Sequence, residues 1–213
     1  MSPPPDLGFG NNVDAQGGRM TGVATGIVSA NTDPDELGRV KLRLPWRSDE
    51  FETDWVRIAV PMAGKQQGVY FLPDVGDEVL VAFDNGDVRY PYVLGALWSR
   101  TDKPPEKNGD GKNAIRLIKT RAGHLLKFDD TENEGVILIQ LVDGKKVRID
   151  TDGIAIDDGA NKITLDAKGG TVAIEAKASL SLKAPKIAIE ASTSLDLKGG
   201  AALNAQATMV RIN

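Results

Sequence analysis

Residues 147–213 read VRIDTDGIAIDDGANKITLDAKGGTVAIEAKASLSLKAPKIAIEASTSLDLKGGAALNAQATMVRIN, and this stretch decides the fold. Apolar residues come in pairs separated by one residue: Val147/Ile149, Ile154/Ile156, Ile163/Leu165, Val172/Ile174, Leu180/Leu182, Ile187/Ile189, Leu195/Leu197, Leu203/Ala205 and Val210/Ile212. In a strand, an i, i+2 pair lies on one face and the residue between them on the other. Gly, Asp, Asn, Lys, Ala and Ser fill the gaps, which is corner chemistry. The pairs recur roughly every eight residues, well short of the roughly 20 or more that a single-chain solenoid spends per turn.

Two inward side chains per strand enclose almost no core if one chain winds alone. Three chains wound together let those faces bury one another and let strands pair between chains, leaving few free edges. The expected form is an intertwined trimeric β-helix, a β-prism needle, with the paired residues from Val147 to Ile212, Ala205 apart, as its trimer core. An amyloid-like or unstructured tail is opposed by the corners, since Gly153, Gly159, Gly169, Gly170, Gly199 and Gly200 fall between pairs and never inside them.

Composition divides the 213-residue chain in two. Every Trp and Tyr lies between Trp46 and Trp98, and no aromatic residue follows Phe128. Short alternating or β-branched runs at 21–29, 38–44, 55–60, 69–72, 78–83 and 92–98 are separated by turn signals and show no helical period. Such spacing suits a small closed barrel of OB type. The expected organisation is a flexible arm over 1–19, an OB-fold domain over 20–99, a linker over 100–113, neck strands over 114–146 and the needle over 147–213. The whole chain is thus expected to be all-β.

Several function classes are disfavoured. A formal charge of −4 weakens a nucleic-acid role, and Arg39, Lys41 and Arg43 alternate along one strand without a stacking run. With no cysteine there is no disulfide framework and no thiolate chemistry. His124 is the only histidine, and the Arg-Ala-Gly-His turn accounts for it, so a Ser/His/Asp triad is not expected. The carboxylates Asp129/Asp130 and Asp157/Asp158 are adjacent in sequence, point to opposite faces of a strand, and read as turn and solvent groups. Calcium is not expected without a Gly-Gly-x-Gly-x-Asp repeat. No cofactor, metal or catalytic residue is assigned. The N-terminus has no apolar signal segment, which predicts a product made in the cytoplasm.

Gly76 and Gly86 are placed at tight turns needing φ > 0. Asp74 and Asp77 are expected to hold a turn between barrel strands, and Val79, Val81 and Phe83 to alternate inward. Trp55 and Trp98 are expected to anchor barrel packing.

The run Gly38-Arg-Val-Lys-Leu, Pro45-Trp46, Trp55-Val-Arg-Ile-Ala, Phe71-Leu-Pro-Asp-Val-Gly-Asp-Glu-Val-Leu-Val-Ala-Phe83, Gly86-Asp87 and Pro91-Tyr-Val-Leu-Gly-Ala-Leu-Trp98 resembles one family. It is the OB domain of contractile-tail spikes, the phage baseplate assembly protein V and the VgrG proteins of type VI secretion. Ile118-Lys-Thr-Arg-Ala-Gly-His-Leu-Leu-Lys-Phe-Asp-Asp130 is similar to the neck that follows that domain, and the repeats resemble the family's trimeric needle. The resemblance implies a non-enzymatic, cell-puncturing central spike acting as a homotrimer in a virion or injection-particle baseplate and delivered to the target-cell envelope. It also implies a separate hub protein, because so few residues precede the barrel, and no lysozyme domain within the linker. No paired histidines form a metal apex. A PAAR-type tip protein is expected to contact Val210, Arg211, Ile212 and Asn213. A receptor- or carbohydrate-binding trimeric fibre is the alternative, and it would call for exposed aromatics on the globular domain.

Overall fold

The computed structural model describes residues 19–48 and 50–211. The chain divides into two units, Met1–Lys107 and Asn108–Asn213, each with its own sheet. The strands are all short, and a 3-10 turn at Asp84–Gly86 is the one helical element among the described residues.

In the first unit, β1 (Val23–Ala30), β2 (Lys41–Arg43), β3 (Arg57–Ile58), β6 (Glu78–Phe83) and β7 (Pro91–Ala96) form one sheet in the order β2-β1-β6-β7-β3. All neighbours are antiparallel except β3 and β7. The two outer strands meet as well: Val40 donates its N–H to Val56 O at 3.0 Å, and Val56 returns the bond at 2.7 Å. That junction closes the sheet into a barrel and removes its edges.

The closure follows from the alternation read in the sequence. Along β6, Val79, Val81 and Phe83 point inward and meet Val28, Val40, Leu42, Leu44, Val56, Val88 and Val93 in one apolar core. Gly76 and Gly86 take φ of 100° and 79°, as the turn geometry required. Asp74 N–H donates to the Asp77 carboxylate at 2.9 Å, and Asp77 N–H to Asp74 O at 3.1 Å, which fixes the turn into β6.

Two expectations are corrected here. Residues 69–72 form no strand; a small hairpin, β4 (Ala63–Gly64) and β5 (Gln67–Gly68), precedes them, and Pro73, with no N–H to donate, ends the run. The tryptophan that packs the barrel is Trp46, edge-on to Phe83 with ring centroids 6.0 Å apart and its indole N–H on Thr25 O. Trp98 is 72% exposed.

The second unit is a seven-stranded antiparallel meander in chain order: β8 (Ile115–Lys119), β9 (Leu125–Asp129), β10 (Val136–Gln140), β11 (Lys146–Asp150), β12 (Gly153–Asp157), β13 (Lys162–Asp166) and β14 (Thr171–Glu175). The three neck runs and the first four repeats are therefore strands. Those four repeats pair within the chain, whereas the sequence led us to expect pairing between chains. The reason lies in the corners. Asp150 Oδ1 accepts from the N–H groups of Asp152 and Gly153, Asp158 Oδ1 from Ala160 and Asn161, and Asp166 Oδ1 from Lys168 and Gly169. Such side-chain-capped turns reverse the chain locally and set each hairpin's register. From Ala176 to Arg211 the described residues form no strand.

Candidate functional site, an apolar sheet face

Register in the meander is strict, so residues that oppose each other in the ladder share a face. One row across all seven strands reads Ile118, Leu126, Ile139, Val147, Ile156, Ile163, Ile174. The next reads Arg116, Phe128, Ile137, Ile149, Ile154, Leu165, Val172. Apart from Arg116, both rows are wholly apolar. Every trimer-core residue expected from Val147 to Ile174 falls on them. The neck residues Phe128, Ile137 and Ile139 extend the same face. The neck, expected as a segment separate from the needle, carries the same i, i+2 signal at Leu126/Phe128 and Ile137/Ile139.

This face is the uncovered one. Ile139, Ile156 and Ile174 remain 52%, 47% and 51% exposed in the single chain. The opposite face is satisfied within the chain. Its middle row is Leu117, Lys127, Leu138, Arg148, Ala155, Thr164 and Ala173. Charged side chains close over it: Lys127 pairs with Asp129 at 3.2 Å, Arg148 with Asp150 at 2.5 Å, and Lys146 with Asp157 at 3.7 Å. Arg148 holds the Asp150 carboxyl below its ordinary range, with the N–H groups of Asp152 and Gly153 adding to the effect. A sheet with one self-satisfied charged face and one continuous apolar face is built to be covered on the latter.

Of the remaining expected trimer-core residues, Leu180, Leu182, Ile187, Ile189, Leu195, Leu197, Leu203 and Val210 are exposed and lie outside any strand, and Ile212 lies outside the described residues. Of the residues assigned to the tip contact, Val210 and Arg211 are exposed, while Ile212 and Asn213 lie outside the described residues.

The polar groups singled out in the sequence have structural partners. His124 closes a turn: its N–H donates to Thr120 Oγ1 at 3.1 Å, and its Nδ1 accepts from Val142 N–H at 3.3 Å. Asp130 pairs with Arg116 at 2.5 Å, and Asp129 accepts from the Thr131 hydroxyl at 2.6 Å. Asp158 is held down to about 2 by the Asn161 side-chain amide and by the N–H groups of Asn161 and Ala160. In the barrel, Arg39 donates to Asp33 and Asp35, and its guanidinium keeps the Asp33 carboxyl far below the usual range. Lys41 pairs with Glu52 at 3.3 Å and sits 5.6 Å from the Trp55 ring centroid. Two of the three alternating cations are thus engaged by carboxylates. Among the described residues no group of three or more His, Cys, Asp or Glu side chains is placed to hold a metal, and no helix is long and apolar enough to cross a membrane.

Comparison with known proteins agrees with both halves. Residues 24–98 match the type VI secretion system/phage-baseplate injector OB domain, and residues 115–213 match the phage baseplate V C-terminal trimerisation domain. The type VI secretion system spike protein VgrG2a of Pseudomonas aeruginosa is 38% identical over 106 residues, 46% of this chain and 12% of that protein. VgrG3 of Vibrio cholerae is 36% identical over 113 residues, 49% of this chain and 11% of that protein. An actin cross-linking toxin, VgrG1 of Vibrio cholerae, is 31% identical over 137 residues, 61% of this chain and 12% of the toxin. The chain spans about a tenth of the length of these curated relatives. With a barrel of the injector OB type followed by a trimerisation domain whose sheet leaves two apolar rows uncovered, the chain belongs to the phage baseplate V and type VI secretion spike family.

Proposed function

We propose that the protein is the central spike of a contractile injection apparatus and acts as a homotrimer without catalysis. The observation that carries this is the pair of apolar rows on β8–β14, lying within the region matched as a trimerisation domain. Three such faces turned to a common axis bury one another and leave the charged faces in water. The product is a stiff rod, because backbone hydrogen bonds run along each sheet and burial of the shared core slows unfolding under load. Force from a contracting sheath would then concentrate at its far end. The OB domain takes the hub contact, supported by its exposed Tyr70, Phe71, Tyr90 and Trp98. The distal repeats, through Val210 and Arg211, take the contact with a PAAR-type tip protein. Exposed aromatics are also what a receptor-binding fibre calls for, so the preference for a spike rests on the matched domains and the names of the relatives.

Removing the chain from its native apparatus tests this. Assembled particles should lose both the central spike density and the ability to penetrate a target envelope. Supplying the wild-type chain should restore both, and Ile156→Asp should restore neither. Particles that inject normally without the chain would overturn the proposal.

A further inference from the structure

The outer surface of the barrel carries a cleft of about 210 Å³ at β3, β7 and the loop that leads into β7. Along β2 and β3 alternate residues turn inward: Val40, Leu42 and Val56 are buried, so Lys41, Trp55 and Arg57 stand on the outside. The β3 side lines the cleft with Asp54, Trp55 and Arg57, and the β7 side with Arg89, Tyr90 and Tyr92. Each ring has a cation beside it. The Lys41 ammonium lies 5.6 Å from the Trp55 ring centroid, the Arg57 guanidinium 5.0 Å from that of Tyr92, and the Arg89 guanidinium 5.7 Å from that of Tyr90. Arg57 also donates to the Tyr92 hydroxyl at 2.8 Å. The loop is fixed by its own bonds: Asp84 N–H donates to Tyr90 O at 2.9 Å, Tyr90 N–H to Asp87 O at 3.0 Å, and Arg89 to the Asp87 carboxylate at 2.6 Å.

Charge in the cleft nearly cancels. Lys41 is paired with Glu52 and Arg89 with Asp87, which leaves Arg57 and Asp54 as lining charges with no ion-pair partner among the described residues. Such a balance disfavours a phosphate backbone, whose binding needs several unpaired cations. A guanidinium fork and a carboxylate beside exposed aromatic faces instead match a sugar ring: its C–H faces stack on aromatics, and its neighbouring hydroxyls take paired hydrogen bonds. OB barrels hold oligosaccharides on the face of their second and third strands, beside the loop between the fourth and fifth. Here β2 and β3 are the second and third barrel strands, and β6 and β7 the fourth and fifth.

We propose that this cleft binds a neutral oligosaccharide, with Trp55 and Tyr90 as stacking faces and with Arg57 and Asp54 bonded to ring hydroxyls. Of these four residues, Tyr90 alone belongs also to the surface assigned to the hub. The contact gives the spike an affinity for envelope polysaccharide in addition to its mechanical role, and it does not depend on the trimer.

Titration calorimetry on the full-length chain tests this, with cellohexaose, chitohexaose and maltohexaose as probes and an oligothymidylate and heparin hexasaccharide as anionic comparisons. At least one neutral hexasaccharide should bind with a Kd below about 1 mM. Trp55→Ala and Arg57→Ala should each weaken that binding at least about tenfold, and Trp98→Ala, outside the cleft, should leave it unchanged. Arg57 is exposed, so Arg57→Ala keeps the test valid if Trp55→Ala fails to fold. Failure of all three neutral probes to bind, binding that survives Arg57→Ala, an equal loss in Trp98→Ala, or tighter binding of an anionic probe would each overturn the proposal.

Discussion

Replacing Ile156 by Ala probes the apolar rows directly. Ile156 lies mid-row between Val147 and Ile163 and keeps 47% of its surface exposed in the single chain. Full burial of an isoleucine side chain is worth about 1.5–3 kcal/mol, so the half still exposed contributes about 1 kcal/mol per chain when a partner covers it. Three copies give about 3 kcal/mol per trimer, and any cavity left behind adds to the loss. At 1.4 kcal/mol per factor of ten, association should weaken by roughly 100-fold or more. Thr164→Ala is the control, since Thr164 lies in the middle row of the charged face, opposite Ala155 and Ala173. Its effect should stay within about 0.5 kcal/mol. Sedimentation equilibrium across a urea series reads both variants against wild type. If Thr164→Ala dissociated the assembly and Ile156→Ala left it intact, the face assignment would be inverted and the reasoning with it.

Further consequences are checked with similar tools. Leu195→Asp places a carboxylate at the distal axis, where burying an unpaired charge is strongly unfavourable; protease resistance of the assembly should be lost, and a fully resistant trimer would displace the distal register. Gly153→Ala should cost at least about 2 kcal/mol, because a Cβ there would lie 1.8 Å from Leu165 O, whereas Gly144→Ala, in open space with φ 93°, should cost about 1–2 kcal/mol from backbone strain alone; chemical denaturation ranks the two. For acid, the Arg89 guanidinium holds the Asp87 carboxyl down to about 2, and the Asn161 amide does the same for Asp158, against an ordinary 3.8. Folded-state values below the unfolded ones give stability that is complete above about pH 4 and is lost as the pH falls towards about 2. The thermal midpoint should therefore drop across that window, and Asp87→Ala and Asp158→Ala should each flatten the drop.

How much of this was legible in the sequence depends on how local the signal is. The strand at 78–83 and the inward turn of Val79, Val81 and Phe83 follow from alternation alone, and the structure places both as expected. The turn at Asp74–Asp77 and the glycines at 76 and 86 were readable for the same reason: each needs one backbone conformation that few residues supply. Trp98 was not readable in this way. A tryptophan near a strand end is equally compatible with the core and with the surface, and only the barrel's three-dimensional closure chose Trp46 for the packing site. The apolar face was visible as i, i+2 pairs, but the partner of each strand was not. Pairing is decided by corner chemistry, and the Asp-capped turns at Asp150, Asp158 and Asp166 favour the same chain while the apolar spacing is silent on the choice. The neck was undervalued because its strands are joined by longer loops, which hid their continuity with the repeats until the ladder aligned Ile139 with Val147.

The native mass of the full-length chain in solution, by light scattering coupled to size exclusion, tests the central claim most directly. The account predicts three copies of the 22.7 kDa chain, 3 × 22.7 = 68.1 kDa, at all accessible concentrations. A stable, folded species of 22.7 kDa would leave two rows of isoleucine, leucine and valine in water with nothing to cover them, and would contradict it.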